Sequence, residues 1–186
     1  MKRWLPILLL IGMLTGCGSS RTGIERALCL RESLLKGKGC TFIAVVTADY
    51  GDKLYTFTMK NTVDTNGDLT FEVVSPDTIA GITGKIENEK GALTFDKEVL
   101  AFSLLTDDQI SPVSAPWLFI KTLRSGYIHG CESLESGMRI QIDDSYDDDA
   151  LQLDIWTDSS DIPIRGEILF RGRRIITLDV ENFTIL

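Results

Sequence analysis

The chain holds a single histidine in 186 residues, and that scarcity sets aside the commonest catalytic and metal-binding chemistry. A hydrolytic triad needs a base beside its nucleophile, usually an imidazole, and many metal centres need several. Positive charge is also short. Nineteen Lys and Arg stand against 27 Asp and Glu, a net charge of −8, which argues against a nucleic-acid partner because phosphates must be met by a basic surface. The four cysteines include no CxxC pair, so neither a zinc ribbon nor a thioredoxin-like redox site is expected. No Walker loop and no GxGxxG occurs, which removes the usual nucleotide cradles. Internal repeats and low-complexity linkers are lacking too. The apolar stretch at residues 4–14 has eleven residues, against the roughly 20 a spanning helix needs. No cofactor or metal is expected.

What the N-terminus does have is an address. Lys2 and Arg3 form a charged start, residues 4–14 an apolar core, and Leu14-Thr15-Gly16-Cys17 a closing motif. This ending resembles the lipobox of bacterial lipoprotein signals: an apolar residue, two small ones, then cysteine. The resemblance implies that residues 1–16 are a signal peptide, that Cys17 is the lipid (palmitate-type) attachment site, and that the protein is exported and lipid-anchored on the extracytoplasmic side of a bacterial membrane. A plain secretory signal with an incidental cysteine and an uncleaved anchor are the alternatives. Loss of Lys2 and Arg3 takes the net charge to about −10. Such a body is repelled by anionic lipid, so the acyl chains rather than a basic patch hold it. Residues 17–23 are the lipidated cysteine and a short tether, whose six residues after Cys17 keep the body within roughly 12–15 Å of the membrane. Cys29, Cys40 and Cys131 remain, an odd number; one disulfide with a spare thiol and three reduced thiols are both open.

Hydrophobic content of 44% with 25% charged residues is that of a packed domain, and residues 24–186 have the length of one. Residues 22–36 place Ile24, Ala27, Leu28, Leu34 and Leu35 near a 3.6-residue period and end at Lys36-Gly37-Lys38-Gly39, the pattern of a helix and its stop. The period then becomes two. Residues 41–48, 53–61 and 69–74 read as strands, with Asn66-Gly67 a strong hairpin signal. Residues 78–87, 92–95 and 99–104 continue the pattern. Residues 106–126 break it: Pro112 and Pro116 suit a helix's first turn, and Trp117, Leu118, Phe119, Ile120 and Leu123 give it an apolar face. Residues 127–131, 137–143, 150–157, 162–170 and 173–186 return to strands. The expected fold class is α+β: about nine to eleven antiparallel strands with an N-terminal and a mid-chain helix on one face.

Three stretches carry a family resemblance: Tyr55-Thr56-Phe57-Thr58-Met59; Leu69-Thr70-Phe71-Glu72-Val73-Val74-Ser75-Pro76; and residues 162–170 running through Arg171-Gly172-Arg173-Arg174 to Glu181-Asn182-Phe183. With the order of elements, they resemble the LolA/LppX-like lipoprotein-carrier superfamily. The last hairpin is similar to that of its lipid-anchored members, including germination and sporulation lipoproteins. The resemblance implies a curved, unclosed β half-barrel whose helices cover an apolar concavity. It also implies a non-catalytic role; carrier members that cross the periplasm are soluble, and the anchor expected here departs from them and favours a receptor, lipid-handling or docking role at one membrane.

Two chemical motifs compete with that reading. His129 and Cys131 alternate on one predicted strand and would share a face, as a catalytic pair or as ordinary strand residues. Asp143, Ser145, Asp147, Asp149 and Asp154 fall at calcium-loop offsets, but Asp148 stands where the turn glycine belongs; solvated acidic turns account for them, and the hairpin turn accounts for residues 64–68. Apolar surface remains. Tyr55, Phe57, Met59, Phe71, Val73, Ile82, Phe102, Trp117, Phe119 and Ile155, together with Ile140, Leu153 and Ile168, are expected either to line a lipid-sized concavity or to fill a core. The expected function is binding of a lipid or acyl chain in that concavity. The alternative is a docking lipoprotein that holds a cell-envelope enzyme or assembly at the membrane.

Overall fold

Helix α1 (Gly23–Lys36) begins where Thr22 and Glu25 form a reciprocal cap. The Thr22 N–H donates to Glu25 Oε2 at 2.8 Å, and the Glu25 N–H donates to the Thr22 hydroxyl at 3.4 Å, satisfying two donors that the first turn leaves open. Ala27, Leu30 and Leu34 are its buried stripe. The computed structural model describes residues 22–95, 98–102, 105–106, 109–146 and 151–186; Cys17 and the segment before it lie outside these, as do Asp147 and Asp149.

Beyond α1 the chain forms strands β1 (Cys40–Asp49), β2 (Leu54–Val63), β3 (Leu69–Ser75), β4 (Thr83–Glu87), β5 (Lys90–Phe95) and β6 (Glu98–Phe102), then a two-strand hairpin, β7 (Leu105–Thr106) and β8 (Gln109–Ile110). A short 3-10 turn, Pro112–Ser114, leads into helix α2 (Ala115–Ser125). Strands β9 (Tyr127–Leu134), β10 (Gly137–Asp143), β11 (Gln152–Thr157), β12 (Pro163–Phe170) and β13 (Arg173–Ile185) follow. Eleven strands make one open sheet in the order β6-β5-β4-β3-β2-β1-β13-β12-β11-β10-β9. All pairs are antiparallel, and the two meanders are joined by the β1–β13 pair, Ala44 opposite Val180. This is the anticipated α+β half-barrel with two helices.

Several expected strands shift. The strand expected over residues 78–87 begins at Thr83, because Pro76 to Ile79 closes a turn and both Gly81 N–H and Ile82 C=O bond back to Val73. Within the stretch expected to be free of β structure, Gln109–Ile110 pairs with Leu105–Thr106. The Asn66-Gly67 hairpin forms as read: Asp64 Oδ1 accepts from the N–H groups of Asn66, Gly67 and Asp68 at 2.8–3.0 Å. That aspartate knits the turn itself, the mechanism that makes Asp a turn residue.

Alternate residues of the central strands point into one continuous core, from Phe42, Ala44 and Val46 through Met59, Phe71 and Ile86 to Ile140, Ile155, Ile168 and Leu178. Helix α2 packs on this concave face and buries Trp117, Leu118, Phe119, Ile120 and Leu123. Phe119 is fully buried, its ring centroid 6.2 Å from that of Phe42. Gly166 lets it do so, since a Cβ there would stand 2.7 Å from the Phe119 ring. The two helices are tied together by Arg31 of α1, whose guanidinium donates to the carbonyls of Leu123 and Gly126 at 2.8 Å each. A cation on the last carbonyls of a helix also suits its dipole.

Candidate binding cleft

The concave face is filled in its middle and open at one end. A cleft of about 520 Å³ lies where the β5–β6 hairpin, β8, the first turns of α2 and the β10–β11 turn come together. Its apolar wall is Gly91, Ala101, Phe102, Ile110, Trp117, Leu118 and Leu151, with Ser114 at its base and Glu89, Lys90, Lys121 and Asp144 around its rim. Residues from both flanks of the open sheet therefore meet here, bridged by α2. The volume falls in the ~300–1,000 Å³ range of small-molecule clefts.

Local sequence explains how each wall is placed. Phe102 lies flat across β5 because its partner in register is Gly91, where a Cβ would stand 2.3 Å from the phenyl ring. Ile110 is positioned by β8, which is pinned to the β1–β2 turn by the Tyr50 hydroxyl donating to the Ile110 carbonyl. Burial pushes the Tyr50 phenol up to about 12, so it remains a donor. Trp117 and Lys121 sit one helical turn apart, and the Lys121 ammonium lies 5.0 Å from the indole centroid, within reach of a cation–π attraction. Lys121 also meets Glu89 Oε1 at 2.8 Å, which holds that carboxyl below its ordinary value. A neighbouring groove of about 630 Å³ shares Glu89, Trp117 and Lys121 with the cleft and extends past them to Leu35 of α1 and to Arg124.

Of the ten residues expected to line a concavity, the structure brings Phe102 and Trp117 together in this cleft. Phe57, Met59, Phe71, Val73, Phe119 and Ile155 are buried in the packed core, as are Ile140, Leu153 and Ile168. Ile82 is half-buried against the same core. Tyr55 is exposed near the β1–β2 turn, edge-on to Tyr50 at 6.1 Å. The cause is α2, whose side chains occupy the middle of the hollow. Gly91, Ile110, Ser114, Leu118, Lys121 and Leu151 escaped sequence reasoning; the i, i+4 spacing of Trp117 and Lys121 was the one local signal for any of them.

The chemical motifs part company in the fold. Register pairs Cys131 with Ile140 and Gly130 with Gln141, then slips so that Ile128 faces Ile142. This bulge at His129 breaks the alternation on which a His129–Cys131 pair depended. His129 Nδ1 lies 2.9 Å from Asp143 Oδ2 on the outer face, whereas Cys131 turns inward, its thiol 3.9 Å from the Met138 sulfur. Asp154 of the acidic series is buried beneath Arg139, which donates to it at 2.5 Å. Asp143 and Asp154 thus serve different partners, and among the described residues no group of three or more His, Cys, Asp or Glu could hold a metal. No disulfide joins Cys29, Cys40 and Cys131 to one another.

Burial pushes the Cys40 thiol from an ordinary 9.0 to about 11. An unfolded thiol loses its proton first, so alkali favours the unfolded chain. The contribution is complete below about pH 9 and lost as pH rises to about 11, an effect of about 2–3 kcal/mol. Urea unfolding of wild type and Cys40→Ala across pH 8–11 should show the wild type losing that much more stability than the variant. Parallel curves would refute this.

No family model matches the chain, and neither does any curated protein. Among solved structures it is similar to an uncharacterized conserved protein from Thermus thermophilus, at 13% identity over 89% of this chain and 88% of that one, with a TM-score of 0.48. It is similar to a LolA superfamily protein from Nitrosomonas europaea, at 8% identity over 90% and 94%, TM-score 0.44. It is also similar to the lipoprotein LppX from Mycobacterium tuberculosis, at 14% identity over 87% and 92%, TM-score 0.43. These likenesses are of fold alone.

Proposed function

We propose that this is a bacterial lipoprotein, held at the membrane by acyl chains on Cys17, that binds a lipid tail or fatty acyl chain without catalysis. The observation that carries the reading is the cleft between the β5–β6 hairpin and α2: an apolar wall of Phe102, Ile110, Trp117 and Leu118 with charged groups confined to its rim. A chain seated there gains about 0.8 kcal/mol for each methylene removed from water. The lipobox-like Leu14-Thr15-Gly16-Cys17 supports the anchor, and among the described residues no helix is long and apolar enough to cross a membrane.

Native mass spectrometry of residues 22–186, prepared from bacteria without detergent, tests the reading. The expected result is a species heavier by a phospholipid or fatty acid that organic solvent releases. A bare mass that persists after incubation with envelope lipids overturns it.

A docking role is the second reading, and edge strand β6 favours it. Val99 and Leu100 are each 65% exposed there, on a strand at the end of the described sheet, where a partner segment can add a further strand. It predicts a co-purifying envelope protein that is lost when Leu100 is changed to lysine.

A further inference from the structure

Helix α1 carries two apolar stripes. Ala27, Leu30 and Leu34 face the core, but Ile24, Leu28 and Leu35 are 46%, 49% and 54% exposed. Positions 24, 28 and 35 fall within about 40° of one another on a helical wheel, so the exposed three form a single line. Among the described residues no strand covers it, and its far end opens on the groove that leads past Arg124 and Lys121 to the cleft.

Charge is divided in the same way. Residues 21–38 hold five cations (Arg21, Arg26, Arg31, Lys36 and Lys38) against Glu25 and Glu32, a net of +3 in a chain whose total is −8. Helix α2 adds Lys121 and Arg124 with no acid of its own. The strands and their turns therefore carry the whole negative excess. Some of the helical cations are paired: Arg26 with Asp161, Lys36 with Glu32 and Lys121 with Glu89. Arg31 and Arg124 donate to backbone carbonyls, which do not cancel their charge, and Lys38 is exposed. A helix that presents leucine and isoleucine beside cations has the composition of one lying in a membrane interface.

We infer that the Ile24–Leu28–Leu35 face of α1 rests on an anionic bilayer, so that the domain has a fixed orientation and not merely a leash. The inference rests on the anchoring of Cys17, which stands five residues before Thr22 and brings α1, ahead of any other element, to the lipid. Charge complementarity then selects this face: the acidic sheet is repelled by the surface that attracts the helices. In this pose the groove at Leu35 faces the headgroups, and a lipid leaving the bilayer passes Arg124 and Lys121, with Asp68 and Glu89 beside them, on its way to the cleft.

The test uses the acylated protein reconstituted in phosphatidylglycerol vesicles and, separately, in phosphatidylcholine vesicles, with amine labelling read by mass spectrometry. Lys36 and Lys38 should label about fivefold more slowly in the anionic vesicles, the attraction expected for one cation at such a surface. Lys60 and Lys85 on the sheet should be unaffected. In Leu28→Glu/Leu35→Glu the protection should vanish while the protein still floats with the vesicles. Equal labelling of all four lysines in floating protein overturns the orientation and leaves the anchor standing. Protein that floats with neither vesicle overturns the anchor and the orientation together.

Discussion

Phe102→Asp is expected to weaken acyl-chain binding about a hundredfold. Phe102 of β6 stands at the cleft wall with its ring over Gly91 of β5, so a carboxylate there puts a hydrated charge where an acyl chain would lie. Shutting out roughly four methylenes forfeits about 3 kcal/mol, which is about two powers of ten in affinity. Displacement of a fluorescent fatty acid gives the affinity, and thermal unfolding shows whether the domain is intact. Phe102→Leu, which keeps the wall apolar, should bind nearly as wild type does. If the aspartate variant binds a fatty acid undiminished, the ligand lies elsewhere and the cleft is not its site.

Phe119→Ala is expected to cost about 3–5 kcal/mol of stability, the range for deleting a buried aromatic ring, and to lower Tm by roughly 10 °C. Phe119 is fully buried and rests on Gly166 and near Phe42, so the void cannot be closed from either side. Tyr55→Ala, by contrast, removes an exposed ring and should stay within about 1 kcal/mol of wild type. Urea unfolding of the two variants separates residues that fill the hollow from residues outside it. A Phe119→Ala protein as stable as wild type would mean that α2 is only loosely seated on the sheet.

Much of the fold was legible because its signals are local. Strand alternation, the Asn66-Gly67 turn and the change of period at Cys40 depend on neighbours in sequence. The site was less legible because it is assembled from Gly91, Ala101, Ile110, Trp117 and Leu151, which belong to different elements and share no periodicity. The choice between lining and filling depended on how deep α2 sits, and that depth is set by Gly166, 47 positions from Phe119. The bulge at His129 was hidden for a related reason. One unpaired residue reverses which side chains share a face, and alternation alone cannot register it.

The junction of the two meanders has a consequence in time. Strand β1 pairs with β13, so residues near 44 must wait for residues near 180 before the sheet becomes continuous. Such distant closure slows folding, because the entropy of a long loop is lost before any contact across it is made. Until then β1 presents an unpaired edge in what will become the middle of the sheet. A molecule built this way stays unfinished while it is being made or moved, and completes itself when β13 arrives.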